Sequence, residues 1–494
     1  MDVIVTESVD VGVRADRRGE SPAGSVLLIS LLLVATFVVI LNETILGVAL
    51  PTLMKDLDIT AATAQWLTSG FLLTMAIVIP TTGFILQRFS IRWVYVAAMS
   101  SFTLGTLLAA VAPGFEVLMV ARVIQAVGTA IMIPLLITTI LNVVPEHSRG
   151  RVMGLVSVVI SVAPAIGPTV SGLILQSFSW RAMFWIVLPV AAVVLILGGI
   201  LVRDVAERHP AHLDVVSIPL SALGFGGIVY GLSSIGESSS GHTPVPPWVP
   251  LAIGVLSLGL FVVRQMKLVE RGRALLDLRT FKIPQFRLAV VLMGGLMLTL
   301  FGALILLPLY LQNVLDKSVL TTGLVLLPGG LVMGLLGPVV GALFDRFGAR
   351  PLVLPGAIAM SAGTWLLATL NADSELYRVI IAHVILSAGI AFALTPLMTS
   401  ALGSLPPALY SHGSATVSTI QQVAGAAGTA LFVTLMTRGI ETSSADGNSE
   451  TIANADGIHA AFLVGGVISV LLVLGATLVR SGAKTATVVE VTEV

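Results

Sequence analysis

The chain has 494 residues, 56% hydrophobic and only 11% charged, and its 26 basic and 26 acidic residues cancel. Soluble domains carry roughly 25% charged residues, so this composition excludes a soluble globular protein, and a mean hydropathy of +1.01 marks a chain that crosses a membrane repeatedly. Zero net charge argues against a nucleic-acid partner, and the lack of cysteine excludes disulfides and thiolate metal sites.

A membrane-crossing helix needs about 20 apolar residues. Windows of that kind lie near 26–50, 63–86, 93–112, 115–138, 152–177, 182–202, 214–234, 248–266, 288–312, 320–344, 351–370, 378–402, 413–437 and 458–479, fourteen spans in all. The polar residues ahead of the first, with Arg14, Arg17 and Arg18, are expected to form a tail and not a cleaved leader, because the apolar run behind them is too long for a signal-peptide core. An even number of spans puts both ends on one face. Of the 26 Lys and Arg, five (Lys55, Arg181, Lys317, Arg378, Arg438) fall in odd-numbered connections and Arg122 is intramembrane. The remaining twenty sit at the termini and in even-numbered connections, so both termini are expected to be cytoplasmic. The polar connection from Glu441 to His459 is then external. The basic stretch from Arg264 to Arg287, interleaved with Leu and Phe, is the longest cytoplasmic link, and reads as a membrane-surface segment or a solvated linker.

Gly83-Phe-Ile-Leu-Gln87-Arg88-Phe-Ser90-Ile-Arg92 follows span 2, and Gly341-Ala-Leu-Phe-Asp345-Arg346-Phe-Gly348-Ala-Arg350 follows span 10. A repeat in equivalent places implies an all-α polytopic membrane protein made of two six-helix halves. The expected division is a tail (1–24), an N-terminal half (25–205), two inserted helices with the basic link (206–287), a C-terminal half (288–480) and a second tail (481–494). In the second copy Gly341 permits close helix approach. Asp345 can pair with a basic group or cap the next helix, while Arg346 and Arg350 anchor the face.

Ionisable groups at membrane depth are costly and mark pathways, relays or ion pairs. Glu43 interrupts the apolar run from Leu27 to Leu50, and Arg122 with Gln125 lies on one face of span 4. Counting about 1.5 Å per residue, Glu43 and Arg122 sit roughly 12 and 10 Å from the outer ends of their spans. An Arg122–Glu43 interaction that tunes the carboxylate's proton affinity is therefore expected; a static pair orienting two helices is the alternative. In span 5, Pro164, Gly167, Pro168 and Gly172 should bend the helix and permit tight packing. His383, about four residues inside span 12, is either interfacial or a second titrating group. His209 and His212 with Asp214 form a cytoplasmic cluster read as solvated loop. No metal site, Walker A sequence or HExxH is present.

Together these residues resemble the major facilitator superfamily. The paired loops, Arg122-x-x-Gln125-x-x-Gly128 and Gly167-Pro168-x-x-x-Gly172 match its signatures, the last associated with antiporters. Leu41-Asn42-Glu43-Thr-Ile-Leu-Gly-Val-Ala-Leu-Pro51, Trp66-Leu-Thr-Ser-Gly-Phe71, Trp180-Arg-Ala-Met-Phe-Trp185, Leu275-Leu-Asp-Leu-Arg279-Thr-Phe-Lys and Gln421-Gln422-Val-Ala-Gly-Ala-Ala-Gly428 narrow the resemblance to the fourteen-helix drug:proton antiporters of the lincomycin-resistance and multidrug type. That resemblance implies a monomeric, multi-pass bacterial cell-membrane exporter, not an enzyme, with no cofactor. It would exchange hydrophobic, often cationic compounds for protons by alternating access, with protons, such compounds and membrane lipids as its partners. An exporter of one endogenous lipid, siderophore or antibiotic is the alternative, and a proton-coupled nutrient symporter a further one. The implied cavity draws on spans 1, 2, 4, 5, 9, 10, 12 and 13. Phe71, Met75, Met293, Met297, Phe301, Gln421 and Gln422 are its candidate wall residues, with packing or lipid contact as the competing duty. The chain departs from the pattern at Asn42, where the first helix usually has its acid, at Gln87 for an acid and at Ser90 for a glycine.

Overall fold

The computed structural model describes residues 22–59, 61–202, 214, 216–238, 245–270 and 273–479. Nearly all of both expected tails, together with His209 and His212, lies outside these residues. In hydrocarbon every backbone N–H and C=O must be bonded within the chain, so long apolar runs fold as helices. Six form the first half: α1 (Pro22–Asp56), α2 (Ala61–Val78, continued through a 3-10 turn by Thr82–Arg88), α3 (Ile91–Ala110), α4 (Phe115–Val143), α5 (Arg149–Ser177) and α6 (Arg181–Leu201). Two are inserted, α7 (Ser217–Ser238) and α8 (Trp248–Val269). The second half comprises α9 (Pro284–Leu309), α10 (Val319–Phe347), α11 (Arg350–Ala368), α12 (Leu376–Gly403), α13 (Tyr410–Ala445) and α14 (Glu450–Ala476). Among the described residues thirteen helices are long and apolar enough to span a membrane; the apolar stretch of α7, Ser217–Leu232, is shorter.

The internal repeat inferred from two loops extends to the packing. Within the first half α3 packs on α4 and α6, and α1 packs on α5, α6 and α4. The same pairs recur as α11 on α12 and α14, and α9 on α13, α14 and α12. Between the halves α5 packs along α10, and its counterpart pairing sets α13 beside α2. The second contact is looser because inserted helix α7 lies against both α2 and α13. Trp66 of α2 stacks on Tyr230 of α7 with ring centroids 5.6 Å apart.

Polar clips fix the helix ends. On one face Asp56 accepts hydrogen bonds from Trp180 Nε1 (2.7 Å) and Arg181 (3.1 Å), which carries α1 beyond its expected end at residue 50. On the other, Arg264 grips Asp214 through two bonds of 2.6 and 2.7 Å. The Arg264 guanidinium holds the Asp214 carboxyl down at about 2. This stabilisation is therefore complete above the ordinary carboxylate pKa of about 3.9 and is lost only as pH falls through about 2. The α7–α8 clip thus stays ionised at any pH a cell meets.

Candidate functional site

Arg122 is fully buried at the centre of the first half. Its NH1 donates to Asn42 Oδ1 (3.3 Å) and Gln125 Oε1 (3.1 Å), and its Nε donates to the Leu67 carbonyl (3.3 Å). The guanidinium carbon lies 4.0 Å from the centroid of the Phe71 ring. Gln125 passes the network on to Thr106 Oγ1 at 2.9 Å. One cation thus ties α1, α2, α3 and α4 together, while its NH2 has no partner among the described residues. Arg122 and Glu43 form no direct ion pair: the guanidinium bonds Asn42, the residue before the acid, and the expected interaction between the two charges acts through space. The reason is rotational. Adjacent helix residues differ by about 100°, and Asn42 is the one turned toward α4.

Glu43 nevertheless faces inward. It lies nine residues along α1 from Val34, whose side chain is 48% exposed, and nine residues amount to about 180° of helix rotation. The carboxylate is half-buried on the side opposite that exposed face. Its neighbour Thr44 is seated on the Ala163–Gly167 stretch of α5. Thr44 Oγ1 reaches the Ala163 carbonyl at 3.5 Å, and a side chain added at Gly167 would run into Thr44 Oγ1. This stretch of α5 is therefore packed closely against α1 one residue from the acid. A Gly167→Ala substitution is expected to cost about 1–3 kcal/mol through overpacking. Gly172→Ala should cost far less, since its added carbon meets open space. Thermal unfolding midpoints in detergent compare the two.

The paired loops close one face of the molecule. Asp345 at the end of α10 accepts from Gly150 N (2.8 Å) and Arg151 N (2.9 Å). It caps the N-terminus of α5 in the opposite half, not that of the helix following it, as expected from sequence. Gly341 and Gly150 touch backbone to backbone, and an added carbon on Gly341 would strike the Gly150 carbonyl. Gly348 adopts φ +79°, a left-handed turn that needs glycine. Ser90, its counterpart, instead caps α3 by accepting from Trp93 N (3.2 Å). Gln87 Nε2 donates to the Ala408 carbonyl (3.2 Å), and as a neutral amide it brings no charge to a helix N-terminus as Asp345 does. Arg88, Arg92, Arg346 and Arg350 are exposed along this face. Deeper, Thr138 bonds Ser414 (2.8 Å) and Ser157 bonds Thr395 (2.6 Å) across the halves. Every hydrogen bond between the halves among the described residues lies toward this one face.

The candidate wall residues divide. Phe71 sits under Arg122, Met75 packs beside it, and Met293 and Met297 are enclosed in the main core. Phe301 is 38% exposed and rests against Gly425, while Gln421 and Gln422 are half-buried. His383 is buried against Gly329 of α10, further inside than expected, with Nδ1 unpartnered. No cluster of side chains that could hold a metal occurs among the described residues.

Two repeated six-helix halves, the first holding a buried arginine in a polar network, bridged by backbone-to-backbone contacts at one end, define a membrane transporter architecture. A family model described as Major Facilitator Superfamily matches residues 32–429. The chain belongs to that superfamily of multi-pass membrane transporters. It is 41% identical over 458 residues to the lincomycin resistance protein LmrB of Listeria monocytogenes, covering 92% of this chain and 96% of that protein. It is 32% identical over 401 residues to a multidrug resistance protein B homolog of Mycobacterium tuberculosis, covering 80% and 73%. The fold matches the human organic anion transporter MFSD10 with a TM-score of 0.67 at 13% identity, covering 92% of this chain and all of that one. It also matches the proton:xylose symporter XylE at 0.62 and 15%, covering 93% and 96%.

Proposed function

We propose that this chain is a proton-driven exporter that exchanges hydrophobic, often cationic drugs or toxic compounds for protons by alternating access. The observation that carries the reading is Glu43: an intramembrane carboxylate turned away from the exposed face of α1, without a direct ion pair, one residue from the Thr44 contact with α5. A proton taken from outside neutralises Glu43 and releases substrate outward; loss of that proton to the inside restores affinity. Arg122, Asn42 and Gln125 hold α1 in register with α4. The likeness to proteins named for lincomycin and multidrug resistance supports the substrate class. The distribution of Lys and Arg supports cytoplasmic termini, which makes the face closed by Asp345 and Gly150 the cytoplasmic one. The protein acts as a monomer, with Phe301, Gln421 and Gln422 as candidates for the substrate path. Susceptibility of a pump-deficient host expressing the chain, with and without an uncoupler, tests the reading. Unchanged susceptibility to every compound tried would overturn it.

Stoichiometry gives a sharper test. A proton moving inward down roughly 100 mV gains about 2.3 kcal/mol, and each pH unit adds about 1.4 kcal/mol. Exchange of one proton for one monovalent cation moves no net charge, so only the pH term remains, enough for about tenfold accumulation per pH unit. Export of a monovalent cation is therefore expected to survive collapse of the membrane potential and to stop when the pH gradient is collapsed. Ionophore-treated vesicles separate the two; loss of transport with the potential alone rules out one-for-one exchange.

A further inference from the structure

The closed face is built twice, but one copy lacks its acid. In the first, Asp345 caps Gly150 and Arg151, the second and third residues of α5, and Gly341 lies against the same turn. In the second, Gly83 lies against His412, the third residue of α13, so Ser411 and His412 occupy the places of Gly150 and Arg151. The first residues of these two helices meet: Arg149 NH1 donates to Tyr410 Oη at 3.2 Å. At the position of Asp345 stands Gln87, whose amide donates to a carbonyl and leaves the α13 N-terminus without a side-chain anion from α2.

A strap from the inserted segment fills this place. Gln265 Oε1 accepts from the backbone N–H of Leu275 (2.7 Å) and of Leu276 (3.2 Å), while its Nε2 donates to Ser217 (2.6 Å). This turns Leu275 and Leu276 into an apolar cluster with Phe84 of α2 and Ala415 of α13. A carbon added at Gly83 would touch both the Leu275 carbonyl and the His412 ring. Asp277 follows immediately, 5% exposed, braced by Arg279 through its side chain and its backbone N–H. Burial pushes the Asp277 carboxyl up, but the Arg279 bonds and the nearby His412 ring outweigh it and hold it below the usual carboxylate range.

We propose that Asp277 is a positioning residue that supplies, from the strap between α8 and α9, the anion missing at Gln87, latching the first turn of α13 to α2 as Asp345 latches α5 to α10. The inserted helices then have a mechanical role: through Gln265 they hold the strap under the junction of the two halves. The proposal rests on the alternating-access reading, in which this junction must part whenever the cytoplasmic side opens.

The absence of native cysteine permits a direct test. Ala415, fully buried beneath the strap, is replaced by cysteine in the full chain, and its reaction with a small maleimide is timed. Asp277→Asn is expected to speed labelling about five- to thirtyfold, the range a partly buried helix-terminal charge supplies. Gln87→Asp added to Asp277→Asn should slow it again, with unfolding midpoints confirming that each variant is folded. Unchanged labelling in Asp277→Asn overturns the proposal. So does accelerated labelling that Gln87→Asp fails to reverse, which would assign the strap a local packing role only. Should Asp277→Asn not fold, Gln87→Asp alone must slow labelling in the native background, and failure to do so overturns the latch. Labelling needs neither drug nor proton gradient, so a latch without export would leave the inference standing and remove the exporter reading.

Discussion

A Glu43→Gln chain is expected to insert and fold normally yet lose substrate accumulation driven by an imposed pH gradient. Glutamine keeps the shape and much of the hydrogen bonding of the carboxylate but cannot exchange a proton. The half-buried position of Glu43 and its lack of a direct ion pair mean that the change breaks no salt bridge and weakens only a through-space attraction to Arg122, so stability should move by about 1 kcal/mol. Coupling should fail outright. With one pH unit imposed, the native chain reaches about a tenfold substrate ratio per exchanged proton, whereas the variant should stay near unity. Downhill exchange of substrate for substrate should persist, because the halves can still rock without moving a proton. Everted vesicles loaded with a pH-sensitive dye supply the measurement: substrate addition dissipates the gradient only in the native chain. Dissipation at the native rate in Glu43→Gln would remove this carboxylate from the mechanism.

Much of this architecture is legible in the residues because the bilayer leaves so few options. Apolar runs of about 20 residues must be helices, and the two copies around Arg88 and Arg346 reveal the repeat that the packing extends to whole helices. What sequence could not give is which residues face one another between helices. Depth alone places Arg122 level with Glu43, but a step of one residue turns a helix by about 100°, and only the packed structure assigns the guanidinium to Asn42. The sequence offers Asp345 a basic partner or the N-terminus of the next helix, but the helix N-terminus it caps lies 195 residues away, at Gly150 in the opposite half, and no local pattern encodes that pairing. Met293 and Met297 show the same limit: a methionine on an apolar helix reads alike whether it lines a cavity or fills a core. The Leu275–Leu276–Asp277 strap belongs to a motif that carries the family resemblance, but the sequence reads its stretch as a membrane-surface segment or a solvated linker, because the Gln265 side chain that seats it carries no signature of its own.

Arg122→Lys tests whether the charge or the fork matters, and a large loss is expected. A lysine preserves the buried cation, so any effect of net charge on Glu43 is retained. It cannot preserve the geometry. Arg122 serves Asn42, Gln125 and the Leu67 carbonyl at once from a rigid plane lying 4.0 Å over the Phe71 ring, whereas an ammonium is a compact point with no planar face to stack. Each bond to a charged donor contributes about 1.5–3 kcal/mol, and losing even one is enough to loosen α1 against α4 by about tenfold or more in any equilibrium that depends on their register. Transport by Arg122→Lys is therefore expected to fall at least about tenfold. Arg122→Ala should be worse, because it leaves the Asn42 and Gln125 oxygens and the Leu67 carbonyl without their donor. The pattern across substrates discriminates between roles: loss of a structural brace lowers transport of every substrate alike and lowers the unfolding midpoint. If Arg122→Lys transports at the native rate with an unchanged midpoint, then charge alone suffices at this position, and the bonds from the guanidinium to α1 and α2 are incidental to the cycle.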